Sequence, residues 1–358
     1  MYRKAVRTTQ NWFPGLGEAR NRFYHWSRST FGPLHDPPAA GRGAGRACDG
    51  AGSRDGADDP THMGECPMNL MRRVRKLTSQ PAFRAEPARV LARAGMLAAS
   101  VAMGRGAAFD LTRQGGERMR TPADLKYASI TAFLLRDWVE PELRELDRLL
   151  RPGDVFIDVG ANIGLYALKA ARLVGPTGRV LALEPGEAAF GRLTSNLAMN
   201  AYPWAKALKL AASDRDGEAV LHHVPLGDDP QAFSLIANAA TTDGEAVRTR
   251  TLDSLVACEN LWRIDLIRID VEGAEAMVIA GATRTLSRLR PAVIFECNAH
   301  INAGGGGGAA GETWDMLAEA DYRFFRLKDG AFGEIAAPPV DFCNVLALHR
   351  DERPPFER

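Results

Sequence analysis

Acidic and small polar residues stand at the ends of apolar runs in this chain, where they can bind or activate a small molecule. Asp158 lies in the run Val155, Phe156, Ile157, Val159, and Gly160, Asn162 and Gly164 then space a short loop entering an Ala/Leu-rich stretch from Leu165 to Val174. Glu184 closes the apolar run after Gly178, and Ser213 and Asp214 close the run from Ala207 to Ala212. Asp270, Glu272 and Glu275 crowd around Gly273 behind Leu266 to Ile269, and Glu296 follows Pro291 to Phe295. Each run reads as a buried strand, and its polar residues fall at the carboxyl end, where open α/β sheets bind ligands.

The first loop restricts the ligand. Glycine accepts positive φ and lets a ligand approach the backbone, while the helix that follows offers unpaired N–H groups. A dinucleotide fingerprint, Gly-x-Gly-x-x-Gly, needs glycines where Asn162 and Leu165 stand, which disfavours a nicotinamide-dependent oxidoreductase. A nucleoside without a pyrophosphate fits better. Glu184, about one βα unit further on, is placed to accept both hydroxyls of a ribose.

These residues resemble the S-adenosylmethionine-dependent methyltransferases, and the wider pattern is similar to the FkbM family. The quoted segments are Arg151 to Gly164, Leu183-Glu-Pro185, Ala212-Ser-Asp214, Thr251 to Leu255, Ile264 to Glu275 and Ile294-Phe-Glu296. The resemblance implies an α/β, Rossmann-like class I methyltransferase fold: a seven-stranded, mostly parallel sheet with a C-terminal antiparallel strand pair, Tyr322 to Leu327 with Cys343 to His349. It implies S-adenosyl-L-methionine as cofactor, with Asp158, Gly160, Asn162 and Gly164 touching its methionine part or shaping the loop, Glu184 on the ribose and Ser213 or Asp214 on the base. Asp214 also fits a plain Asp-Arg-Asp-Gly turn. The implied acceptor is a hydroxyl of a sugar, glycolipid, polyketide or similar small molecule, and a cofactor-binding module without turnover is the non-enzymatic alternative. Arg268 stands where the family often has lysine and keeps the charge.

Methyl transfer from a sulfonium is an in-line displacement in which the acceptor oxygen must be held near the methyl carbon and its proton managed. Asp270, Glu272 and Glu296 are the acceptor-side candidates for that work. Glu275 is read as a partner of the helix N-terminal dipole. His300 is also placed for proton transfer, although a lone histidine after a strand is as a rule a loop residue. The spacing requires no metal: His222 and His223 are adjacent and face opposite sides of a strand.

With 358 residues, 46% of them hydrophobic, the chain can bury a full α/β core and carry an appendage. Its net charge of +1 shows no basic excess that would point to nucleic acid. Five cysteines without CxxC or metal spacing fit a reducing, cytoplasmic location. No apolar run reaches the ~20 residues of a membrane span.

Residues 1–67, rich in Gly, Ala, Arg, Asp and Pro, are predicted to be disordered, with Met63 or Met68 as alternative starts. Residues 68–121 form a basic, partly helical extension; its segment 68–104, in which Val90, Leu91 and Met96 are apolar, packs on the catalytic domain or lies on an anionic membrane or a partner. Residues 122–350 are the catalytic domain and 351–358 a tail. Within the domain, Glu218 to Val224 and Ala246 to Leu252 form a β-hairpin excursion whose loop, 225–243, is placed to cover the substrate. The glycine run from Ala303 to Ala309 is a lid or a tolerated insertion.

Overall fold

Alternate residues of the central strands go to opposite faces, and nearly all are buried, as a parallel sheet covered on both sides requires. The structure is a computed structural model that describes residues 78, 80–122, 127–223, 233–235, 244–297, 309–341 and 343–357. Segment 1–67, most of the loop 225–243, Asn298 with His300, and the glycine run 304–308 lie outside the described residues.

The chain enters through α1 (Pro81–Ala85), α2 (Pro87–Ala102), the hairpin β1 (Ala107–Asp110) and β2 (Arg118–Thr121), α3 (Tyr127–Leu135) and α4 (Pro141–Leu149). Then come β3 (Val155–Val159), α5 (Leu165–Val174), β4 (Arg179–Leu183), α6 (Glu187–Ala198), β5 (Ala205–Leu208) and β6 (Ala211–Ala212). An excursion follows through β7 (Gly217–His223), β8 (Phe233–Ser234) and β9 (Gly244–Arg250), leading to α7 (Leu252–Cys258) and β10 (Leu266–Ile269). Finally α8 (Glu275–Ala280), α9 (Thr283–Leu289), β11 (Ala292–Cys297), α10 (Ala309–Glu319), β12 (Tyr322–Lys328), β13 (Ala331–Ile335) and β14 (Cys343–His349) close the fold.

The main sheet has the order β13-β12-β14-β11-β10-β3-β4-β5. The strands from β11 to β5 are parallel, and β14 runs antiparallel between β11 and β12. Strand order reverses between β3 and β10, which opens a crevice at their carboxyl ends. This is the class I methyltransferase arrangement with the expected C-terminal pair, but it has eight strands rather than seven. The eighth is β13, because Asp329 and Gly330, at φ 51° and 80°, turn the chain back in a two-residue hairpin. A second correction concerns Ala207 to Ala212, expected as one strand. β5 stays in the main sheet, whereas β6 leaves it to pair with β9 in a separate sheet, β6-β9-β7-β8. The expected hairpin excursion is the antiparallel pair β7 and β9.

Parity along the strands sorts the core. Phe156, Val180, Ala182, Leu266 and Ile294 pack with Leu143, Leu146, Ala167 and Ala170 of α4 and α5. Ile157, Leu181, Ile267, Ile269, Val293 and Phe295 pack on the other face with Leu255, Val278, Ile279 and Leu317. Asp158 is in register with Arg268, and Glu296 with Asn344. The period of two therefore puts Asp158, Arg268, Glu296 and Asn344 on the α4/α5 face as a polar stripe.

On α2, Val90 and Leu97, two turns apart, face the core, while Leu91 and Met96, read as part of the apolar side, are 56% and 54% exposed. Arg93 is used internally: it donates to the Leu134 carbonyl at 3.0 Å and pairs with Glu86. Val90, Leu97, Phe109, Leu111 and Met119 share one buried cluster with α4 and α5, so the core runs across the expected boundary at 121/122. Among the described residues, no helix is long and apolar enough to cross a membrane.

The β1/β2 hairpin, which sequence patterning did not reveal, is tied to α6 by Asn200 and Asn196, which accept the amides of Arg118 and Arg120. Asn196 also donates to the Ile163 carbonyl at 2.9 Å, linking the hairpin to the glycine loop. Asn196→Ala leaves buried backbone groups unpaired and is expected to cost ~1–3 kcal/mol, read as a lower urea midpoint with unchanged slope.

Candidate active site

The crevice is framed by two loops that nearly touch. After β3, the loop carries positive φ at Gly160 (80°), Asn162 (49°) and Gly164 (94°); after β10, at Glu272 (52°) and Gly273 (98°). A Cβ on Gly160 would lie 2.0 Å from the Asp270 carbonyl oxygen, so glycine is required by the neighbouring backbone. The backbone of the loop after β10 therefore stands where a side chain at 160 would be. At Gly164 a Cβ would meet Leu193 at 2.8 Å, again a packing demand.

Between these loops lies a shallow, partly open cleft. Val159, Gly160, Asn162, Glu184 and Pro185 line one side, Asp270, Val271 and Glu272 another, and Leu210, Ala211, Ala212, Leu221 and Leu235 form an apolar wall. Glu184 follows the last residue of β4 and lines the cleft. One of its carboxylate oxygens accepts the Asn162 amide and the other the Gly186 amide, both at 2.9 Å. Burial pushes its carboxyl up to about 7.

Five expected residues are not part of the cleft's lining: Asp158, Gly164, Ser213, Asp214 and Glu296. Asp158 is fully buried beneath the cleft and does not line it. Ser213 is buried with its amide bonded to the Arg250 carbonyl, and its hydroxyl donates to Asp214, which pairs with Arg215. Neither residue lines the cleft, because the chain has already left the main sheet at β6. Glu275 begins α8, where a partner of the helix N-terminal dipole is expected, and its carboxylate also accepts the amides of Val271 and Gly273 at 3.2 Å, shaping the loop before the helix.

Residues 158–324 match the family description "Methyltransferase FkbM domain". The segment is an FkbM methyltransferase domain. This chain is similar to 2-O-methyltransferase NoeI of Sinorhizobium fredii, 31% identical over 161 residues, covering 41% of this chain and 65% of that protein. It is also similar to 31-O-demethyl-FK506 methyltransferase FkbM of Streptomyces tacrolimicus, 31% identical, with 37% and 60% covered. A third relative is the hexuronic acid methyltransferase AglP of Haloferax volcanii, 28% identical, with 42% and 58% covered. The chain spans less than two thirds of each of these relatives.

The floor of the FkbM domain's cleft is a polar network centred on Arg268. Its guanidinium pairs with Asp270, lies 3.5 Å from Asp158 and 3.7 Å from Glu140, donates to the Gly160 carbonyl at 3.2 Å, and stacks 4.3 Å over the Tyr166 ring. Tyr166 donates to Glu140 at 2.6 Å, and Asn344 donates to Glu142 at 3.1 Å. Burial raises Asp158 to about 6 even with Arg268 opposing, and raises Glu142 to about 7. Glu296 is pushed well above the carboxylate range by burial and then by Asp270, Glu272 and Glu275. Among the described residues, no three His, Cys, Asp or Glu side chains are arranged to hold a metal ion.

Glu140, Glu142, Tyr166 and Asn344 were missed from sequence. A signal existed in Arg268, since a cation inside Leu266-Ile-Arg-Ile269 demands buried partners. What it did not give was their positions, because all four come from elements remote from it in sequence.

Gly160→Ala should drive the β3 and β10 loops apart and lower the melting temperature by several degrees even without ligand, measured by calorimetry. Glu184 gives a pH test. A carboxyl raised in the native state holds its proton there to higher pH than in the unfolded chain, so its contribution to stability is present at low pH and is lost as pH rises through about 7. Affinity for a ribose-bearing ligand should move the opposite way, because the ionised carboxylate is the better hydroxyl acceptor. Titration calorimetry between pH 6 and 8 should show affinity rising for wild type and flat for Glu184→Gln.

Proposed function

We propose that the protein is an S-adenosyl-L-methionine-dependent O-methyltransferase acting on a hydroxyl of a sugar, glycolipid, polyketide or similar small molecule. The observation that carries this reading is the pairing, across one cleft, of the Glu184 carboxylate with the acidic edge of Asp270 and Glu272. Two relatives, a 2-O-methyltransferase and a 31-O-demethyl-FK506 methyltransferase, support oxygen as the acceptor atom.

The residues fit the cofactor. Asn162 has a buried side-chain oxygen without a hydrogen-bond partner, and each Glu184 oxygen takes one backbone N–H and keeps a lone pair for a hydroxyl. When bound, the cofactor supplies an electrophilic methyl group on a sulfonium. Glu184 holds the ribose, and the loop from Gly160 to Gly164 walls the methionine part. Leu210, Ala211, Ala212 and Leu221 pack the base in place of Ser213 and Asp214. Asp158 acts through Arg268 from below.

On the acceptor side the carboxylates divide the work. Asp270, oriented by Arg268, accepts the hydroxyl hydrogen and takes the proton as the oxygen attacks; Glu272 lines the same edge. Glu296, kept protonated by burial and by its acidic neighbours, stands outside the cleft's lining and adds no charge to the acidic edge. General-base help of this kind is worth ~10²–10⁴-fold in rate.

Titration calorimetry should show binding of S-adenosylmethionine and S-adenosylhomocysteine but not of NADH, and preferential NADH binding overturns the assignment. Incubating cell extract with methyl-labelled donor should label a small-molecule pool. Asp270→Asn should lower labelling ~10²-fold or more while sparing donor affinity. A wild-type protein that binds donor and labels nothing supports the non-catalytic alternative.

A further inference from the structure

We propose that Glu140, in the turn before α4, is a positioning residue that clamps both ends of the loop joining β3 to α5. The inference deepens the reading above, since that loop is the wall assigned to the cofactor's methionine part.

The geometry is specific to one carboxylate. Its Oε2 accepts the Tyr166 hydroxyl at 2.6 Å, and Tyr166 is the second residue of α5, just past the loop's far end. Its Oε1 lies 3.7 Å from Nη2 of Arg268, whose Nη1 donates to the Gly160 carbonyl at 3.2 Å, at the loop's near end. The Arg268 guanidinium also rests over the Tyr166 ring, so the two arms share one contact. Asn344 approaches Oε2 at 3.5 Å and Glu142 at 3.1 Å, tying the clamp to β14.

The loop has little else on this side to hold its shape. Its other hydrogen bonds run to β4, with the amides of Gly160 and Ala161 on the Leu183 carbonyl and that of Asn162 on Glu184, within the loop from the Gly164 amide to the Ala161 carbonyl, and to α6, where Asn196 donates to the Ile163 carbonyl. Three residues between 160 and 164 carry positive φ, one of them Asn162, a conformation that persists only when surrounding contacts over-determine it. A charge-assisted contact in a site this buried is stronger than its exposed equivalent, and Glu140 supplies one to each arm. Glu140 keeps 27% side-chain exposure, so truncating it opens the contact to water without leaving a large cavity.

The test compares full-length wild type with Glu140→Gln, Glu140→Ala, Tyr166→Phe and the Glu140→Ala/Tyr166→Phe pair. Hydrogen exchange of ligand-free protein should show faster exchange of the amides of residues 160–164 in Glu140→Ala, with β12 unchanged. S-adenosylhomocysteine affinity should fall about tenfold in Glu140→Ala, as a loosened loop that has lost both arms of the clamp implies. Glu140→Gln, which still accepts from Tyr166 but brings no charge to Arg268, should fall between, and the double variant should be no weaker than Glu140→Ala.

A merely structural role would lower the melting temperature and leave loop exchange and affinity of the folded protein as in wild type. That result, or additive losses in the double variant, overturns the clamp. If Glu140→Ala does not fold, Glu140→Gln decides by the same exchange readout. Should wild type bind no S-adenosylhomocysteine while loop exchange still responds to Glu140, the clamp stands and the methyltransferase reading falls.

Discussion

A guanidinium enclosed in an α/β core must bring carboxylates with it, because an unpaired buried charge costs several kcal/mol. Arg268 is 7% exposed in its side chain and is surrounded by Asp158, Asp270 and Glu140 from three separate elements. Satisfying it fixes the relation of β3 to β10, since Asp158 is its register partner, and fixes the loop above through the Gly160 carbonyl. The crevice at the strand reversal thus has a floor whose shape is set electrostatically, while its walls are set by packing.

That floor explains the protonation pattern. Placing Glu142, Asp158, Glu184 and Glu296 in or near one buried region raises each of them, and Arg268 offsets only part of the penalty for Asp158. A site that mixes proton-holding and ionised carboxylates can donate and accept hydrogen bonds within a few ångströms. Groups pushed apart in this way are the arrangement acid/base work requires. The stability lost by ionising such groups is the cost of placing them at the ends of buried strands.

The walls come from a different constraint. The β3 and β10 loops approach so closely that Gly160 has no room for a side chain, and both loops use left-handed backbone to turn within that space. Departure of β6 from the main sheet into the β6-β9-β7-β8 sheet brings Leu221 and Leu235 over the cleft, giving an apolar wall opposite the acidic edge. One sheet therefore supplies the polar groups and the other the apolar cover.

The sequence by itself determined the strand–loop–helix unit at Asp158 to Val174, the carboxylate of Glu184 one unit later, and the acidic turn after β10, because period-two burial and glycine turns are local properties. The parallel core, the β7/β9 hairpin and the antiparallel C-terminal pair were legible for the same reason. The turn that adds β13 is also local, an Asp329-Gly330 pair between Lys328 and Ala331. Tertiary structure alone decided that Asp158 lies under the cleft, that Ser213 and Asp214 are outside it, and that Glu140, Tyr166 and Asn344 share its floor. Those outcomes depend on strand register and on which helix covers which face, and such contacts join residues as far apart as 140 and 344, which no local pattern encodes.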